Sequence, residues 1–198
     1  MSVVLENTIS RPLPINGVKP RLITVAEYDR MIEVGIYTEN DHIELLNGEI
    51  IELMPKGPKH SVFNDLVLDL FKEKLGSKIY ARSQNPIILD NFSEPEPDLV
   101  LVKPPSKNYL ESHPTPANIF LIMEISDTTL AYDRETKAKA YSRNKIQQYL
   151  LLNLQNETLE DFREPSEDGY QFKRTLRKGD SLNLVAFPDV EINVDDLF

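Results

Sequence analysis

The segment IFLIMEISDTTLAYDRETKAKAY, residues 119–141, decides how the chain folds. It opens with Ile119-Phe120-Leu121-Ile122-Met123, a run of strand formers with no polar alternation. Such a run reads as a central strand covered on both faces. Glu124 stands near its end, a carboxylate at the mouth of what reads as the most buried strand. The loop SDTTLAY (126–132) follows, then a helix predicted from Asp133 to about Lys145. QYLLLNL (148–154) is a second buried strand.

Upstream, NFSEPEP (91–97) reads as a turn and Asp98-Leu99-Val100-Leu101-Val102 as a strand. The proline-rich stretch 103–117 is a surface connection to the 119–125 strand. IYARSQNPIILD (79–90) reads as one or two strands. From His60 to Leu75 the apolar residues Val62, Phe63, Leu66, Val67, Leu70, Phe71 and Leu75 fall at helical spacing. MPKGPK (54–59) is a loop, and HIELLNGEIIEL (42–53) is a hairpin turning at Asn47-Gly48. Thr24 and Glu27 have the spacing of a capping box and open a helix to about Val34. Residues 1–20, with three prolines, read as an irregular arm. Downstream, TLEDFRE (158–164), YQFKRTL (170–176) and SLNLVAF (181–187) alternate like antiparallel strands. No repeat or linker interrupts the pattern, so residues 21–198 read as one α/β domain.

A chain of 198 residues can bury a sizeable core. No apolar run approaches the roughly 20 residues needed to cross a bilayer, and the N-terminus lacks an export signal, so a cytoplasmic protein is expected. The absence of cysteine removes disulfides, thiolate zinc sites and cysteine nucleophiles. A net charge of −10 argues against broad nonspecific binding to nucleic acid. The charge is uneven, however. Residues 155–198 hold 11 acids and 5 bases, whereas 133–145 hold 5 bases and 2 acids, which allows a locally positive face.

Three features point to one chemistry. Asp98 begins a strand, and Glu124 ends the next. Asp133, Lys137 and Tyr141 recur at i, i+4 and i+8 on the following helix and share a face. If the two strands are neighbours, the carboxylates face each other, and each resists ionisation unless a cation lies between them. Oxygen ligands of this kind suit Mg²⁺ or Mn²⁺. Lys137 then adds a fixed positive charge that helps to orient and deprotonate an attacking water or to stabilise pentavalent phosphorus. The chemistry implied is metal-dependent phosphodiester hydrolysis. Each position alone has a plainer meaning: Pro97-Asp98 is a turn before a strand, Glu124 a satisfied buried acid, Lys137 a solvated helix residue. Lys139 competes with Lys137, and only the shared face with Asp133 and Tyr141 favours Lys137.

The stretches IELLNGEIIELMPKGPKH (43–60), EPEPDLVLV (94–102), LIMEIS (121–126) and YDRETKAKAYSRNKIQQYLLLN (132–153), with VEINVDDLF at the end, resemble the Uma family of bacterial restriction endonucleases. That family belongs to the PD-(D/E)XK nuclease superfamily, and the likeness runs from about Leu22 to Phe198. It implies a restriction-endonuclease-like mixed central sheet flanked by helices, with an added antiparallel β region at the C-terminus. In that pattern Asp98 matches the PD aspartate and Glu124 the acid of (D/E)XK. Ser126 occupies the usual lysine position, and Lys137 on the next helix matches the family's displaced lysine. Glu44 matches a hairpin glutamate that could contact the metal or its waters. His60 matches a histidine that could be a general base, a phosphate contact or a structural helix-terminal residue. Asp133 and Tyr141 match positions flanking the lysine and are expected to orient it by hydrogen bonds. Lys145-Ile146, Leu150 and Asn153 depart from the family's usual residues without touching the proposed ligands.

The resemblance thus implies a Mg²⁺-dependent endonuclease acting on DNA, with a homodimer as the family-level expectation. A noncatalytic binding or assembly module of the same fold and a hydrolase of small phosphate esters are the competing readings. On the first, Lys137→Ala is expected to abolish cleavage with folding nearly intact, and Lys139→Ala to do little.

Overall fold

Thr24 caps α1 (Val25–Glu33) through a complete capping box with Glu27, as the spacing predicts. Strands β1 (Ile43–Leu46) and β2 (Glu49–Glu52) pair antiparallel around Asn47 and Gly48, whose φ values of 53° and 80° are those of the two-residue turn that this dipeptide favours. Helix α2 (Pro58–Leu75) starts two residues earlier than expected, with Pro58 at its first turn, where the missing N–H costs nothing. Next come β3 (Tyr80–Ser83), β4 (Leu99–Val102) and β5 (Ile119–Ser126). A π-helical turn (Tyr132–Lys137) runs into α3 (Ala138–Arg143), followed by β6 (Gln148–Asn153), β7 (Thr158–Ser166) and β8 (Gly169–Leu176). The short strands β9 (Ser181–Asn183) and β10 (Glu191–Asn193) close the chain as a separate antiparallel pair. This computed structural model describes residues 19–38 and 40–198. The arm expected over 1–20 therefore lies, but for its last two residues, outside the described residues.

The central sheet has six strands in the order β3-β4-β5-β6-β7-β8. Only β5 and β6 run parallel, because the π-turn and α3 carry the chain back across the sheet between them. The other pairs are antiparallel, which makes the sheet mixed. Strand β5 is buried at seven of its eight positions, as its uninterrupted apolar run requires. Alternation then sorts its side chains. Leu121, Met123 and Ile125 face Val67 and Phe71 of α2 together with Ile192 and Leu197 near the C-terminus. Ile122 faces the other way, with Val100, Leu151 and Tyr141 of α3. The sheet is thus covered on both sides.

Two segments hold less strand than their length suggests. Residues 79–90 yield only β3, because the chain turns at Gln84 with φ 53° and Pro86 follows. SLNLVAF yields only the three residues of β9. No helix among the described residues is long and apolar enough to cross a membrane.

Candidate active site

Leu99 of β4 pairs with Met123 of β5, so one further step of the antiparallel register sets Asp98 beside Glu124. The two are tied reciprocally. The Asp98 N–H donates to Glu124 Oε2 at 3.3 Å, and the Ile125 N–H donates to Asp98 Oδ2 at 2.9 Å. Both carboxylates are buried, at 5% and 3% exposure. They form the floor of a cavity of about 260 Å³ whose walls include His60, Lys56, Glu96, Tyr132, Asp133 and Lys137.

The helix after β5 supplies the compensating charge. Lys137 Nζ lies 3.0 Å from Glu124 Oε1 and 3.2 Å from Glu44 Oε2. The Tyr141 hydroxyl, one turn on, donates to the same Glu124 oxygen at 2.6 Å. Of the two lysines, Lys137 is the one that reaches the carboxylates, and Lys139 is exposed. The wide turn that carries Lys137 is π-helical, a local irregularity often found where function positions a side chain.

Glu44 enters from β1, far away in sequence. It is fully buried, with Oε1 accepting from the Tyr132 hydroxyl at 3.0 Å and Oε2 from the Glu96 N–H at 3.1 Å. His60, in the first turn of α2, donates from Nε2 to Asp98 Oδ2 at 3.0 Å. The structure therefore brings Asp98, Glu124, Lys137, Glu44, His60 and Tyr141 into one cluster. Asp133 lines the same cavity but bonds to Thr129 at 2.6 Å. Neither Asp133 nor Tyr141 is hydrogen-bonded to Lys137: Tyr141 reaches Glu124, and Asp133 acts on the lysine through its charge.

Two contacts escaped the sequence reading. Lys56, in the loop before α2, sits 3.1 Å from Asp98 Oδ1. Tyr132 holds Glu44. Nothing in local spacing signals either, since their partners lie 42 and 88 residues away.

The electrostatics follow from burial and neighbours. Burial pushes Glu124 up, to about 8, with Lys137 pulling it down and Asp98, Asp133 and Glu44 adding to the rise. Burial also opposes ionisation of Asp98, but the hydrogen bond from His60 and the charge of Lys56 outweigh it and hold the group at about 2. Burial works against the charge on Lys137 as well, yet Glu124, Glu44, Asp133 and Asp98 together raise it well above an ordinary lysine. A lysine so placed has a structural part. Lys137→Ala leaves two buried carboxylates without their cation, a loss of roughly 3–5 kcal/mol for a broken buried pair. The expectation that folding would survive this change nearly intact is therefore corrected by the burial of Lys137, which is only 4% exposed.

Comparison with known proteins agrees with this architecture. The family Uma2, described as "Putative restriction endonuclease", matches residues 25–195. Among solved structures, "a putative nuclease belonging to DUF820 from Anabaena variabilis ATCC 29413" superposes with a TM-score of 0.67 at 16% identity, covering 89% of this chain and 97% of that one. At that identity the likeness speaks for the fold. No curated protein matches the chain. The family match extends from α1 almost to the C-terminus, and the chain belongs to the Uma2 family.

Proposed function

We propose that the protein is a metal-dependent endonuclease that hydrolyses DNA phosphodiester bonds at the Asp98–Glu124 cleft. The observation that carries this reading is the pairing of two buried carboxylates on adjacent strands with a buried ammonium against one of them. The donor set suits a hard divalent ion. Glu124 is burdened by burial and by neighbouring acids, so a cation beside it relieves a standing cost. No group of three or more ligating side chains converges among the described residues. A site with two carboxylates suits Mg²⁺ or Mn²⁺, which keep several waters and share substrate oxygens. Asp98 and Glu124 would hold the ion, which when bound supplies Lewis acidity toward a phosphate oxygen.

The protein's own groups do the rest. Ile125 N–H and His60 fix one oxygen of Asp98 and so set the direction of the other. Tyr141 and Lys137 fix Glu124 Oε1 in the same way. Lys137 presents a positive charge to the cleft that lowers the cost of forming hydroxide from an attacking water and of the charge developing on phosphorus. Water loses a proton to solvent as it adds to phosphorus, the opposite P–O bond breaks, and the leaving oxygen takes a proton from solvent.

The test is cleavage of supercoiled, linear and single-stranded DNA with Mg²⁺ or Mn²⁺, comparing wild type with Asp98→Asn. Asparagine keeps one acceptor oxygen for the Ile125 N–H and His60, and removes the charge and the second acceptor that Lys56 faces. The expected loss of cleavage is about 10²–10³-fold, with the native circular dichroism spectrum kept and the thermal unfolding midpoint lowered near neutral pH, where the ionised Asp98 stabilises the fold. Undiminished cleavage by Asp98→Asn would place the activity elsewhere. No cleavage by wild type under any of these conditions would leave the noncatalytic module as the reading.

A further inference from the structure

We infer that a second cavity beside the cleft is a base-binding subsite, and that the substrate is therefore a nucleic-acid strand with an unpaired nucleotide next to the scissile phosphate. The inference rests on the nuclease reading above and names its substrate class.

The second cavity, of about 570 Å³, shares five wall residues with the catalytic one: Leu53, Met54, Pro55, Lys56 and Glu96. The two form one trough with Lys56 on the ridge between them. A volume in this range accepts a small ligand, and its walls mix apolar surface with a few polar groups. Tyr37 and Ile32 line it, and Ile32 and Met54 are 44% and 71% exposed. That is an unusual cost at a rim unless something flat and apolar covers it.

Gln84 is the second, independent sign. Its φ of 53° is a left-handed conformation for a residue that is not glycine. The backbone is pinned there by its N–H, which lies 3.2 Å from the carbonyls of both Pro97 and Asp98. The strain is thus held by the strand that carries the catalytic aspartate. The side-chain amide lines the second cavity and makes no hydrogen bond among the described residues. An amide offers both donors and an acceptor, the complement of a base edge.

Charge argues against a duplex lying in the trough. Its ridge carries Lys56, but Asp41 and Glu96 also line the second cavity. Duplex recognition leans on many phosphate contacts from a basic face, whereas an unpaired strand also gains from stacking its bases on side-chain faces, which a duplex keeps stacked within itself. Lys56 is placed to meet one phosphate between the two cavities. Tyr37, Ile32 and Met54 take the face of the base, and Gln84 takes its edge.

Binding is measured by fluorescence anisotropy in EDTA with a 20-nucleotide single strand, the matching duplex and a duplex with one unpaired nucleotide. Wild type is expected to bind the single strand and the bulged duplex at least tenfold tighter than the perfect duplex. Tyr37→Ala and Gln84→Gly should weaken single-strand binding by about 5- to 100-fold, with Tyr37→Phe near wild type and Lys139→Ala unchanged. Glycine suits the backbone at position 84, so that variant isolates the amide. Equal or tighter binding of the perfect duplex, or neutral effects at both Tyr37 and Gln84, overturns the inference. Adding Mg²⁺ to the same samples separates the two readings. Cutting of perfect duplex, unaffected by the variants, keeps the nuclease and removes the subsite. Selective strand binding without cutting keeps the subsite and removes the nuclease.

Discussion

At the scale of single residues, Glu94 shows how burial sets a pH dependence. It is 5% exposed, its Oε2 has no hydrogen-bond partner, and His113 Nε2 stands 3.7 Å from its other oxygen. Burial, reinforced by the charges of Asp29 and Glu96, raises its pKa to about 8. The unfolded chain releases the same proton near pH 4.3. Between these values the folded state binds more protons, so stability falls as pH rises from about 4.5 toward 8. Asp98 has the opposite sign: held at about 2, its contribution is complete above the ordinary aspartate range and is lost only as pH falls toward 2. Glu94→Gln removes the ionisation and keeps the shape. It should leave stability at pH 5 nearly unchanged and raise it at pH 8 by about 1–3 kcal/mol, the cost of a buried polar group poorly paired. Thermal unfolding across pH 5–9 checks this, and a stabilisation of equal size at both ends would refute it. The site residues show why only some were legible. Asp98, Glu124 and Lys137 lie at the ends of strongly patterned elements, so neighbouring strands and one helix face brought them together on paper. Glu44 and His60 came only through the family resemblance, and Lys56 through neither, because a loop lysine carries no periodic signal.

At the scale of elements, the β1–β2 hairpin delivers Glu44 to Lys137, and its turn leaves little freedom. Gly48 has φ 80°, and a Cβ there would stand 2.6 Å from Leu22 Cβ. Its N–H also holds Phe92 O at 2.7 Å. Gly48→Ala meets both backbone strain and a clash, and should cost about 2–3 kcal/mol, read as a lower denaturant midpoint at constant slope. Asn47→Gly, at a residue whose φ of 53° glycine adopts freely, should stay within about 1 kcal/mol. Equal losses in the two variants would mean that the turn conformation is not what the glycine serves. This hairpin was legible because Asn-Gly between short apolar strands has a mechanism behind it. The short β3 and β9 were less so, since 79–90 and 181–187 look strand-like throughout. What ends them is tertiary: Gln84 turns back toward Pro97 and Asp98, and Leu184 closes onto Val190. The π-turn at Tyr132–Lys137 was read as ordinary helix, because an extra residue in one turn leaves the apolar periodicity of so short a segment nearly unaltered.

For the whole molecule, the question is where the cations go on a chain of net charge −10. The basic segment 133–145 allowed a positive face, but two of its five bases, Arg134 and Lys137, are spent on buried acids. Lys137 is buried against Glu124 and Glu44, Arg134 pairs with Glu160, and Lys145 lies 3.3 Å from Glu167. Arg163 and Arg174 likewise converge on the buried Asp161. Net charge and segment counts could not reveal this, because a base neutralised internally and a base facing solvent look the same in a sequence. If the trough binds a strand as inferred above, the cation on its ridge is Lys56, whose ammonium also lies 3.1 Å from Asp98. Affinity for single strands falls with salt by about 0.7 logarithmic units per neutralised phosphate. One or two phosphate contacts give a slope of log affinity against log salt between about −0.7 and −1.4. Lys56→Gln should flatten that slope by about 0.7 while leaving base contacts in place. Anisotropy titrations of a single strand from 50 to 200 mM NaCl (~50–200 mM, the range over which phosphate-dominated binders lose most affinity) read it directly. A slope steeper than about −4 would require six or so phosphates to be neutralised, more than Lys56 and its neighbours in the trough can meet, and would mean that the strand lies on bases outside it.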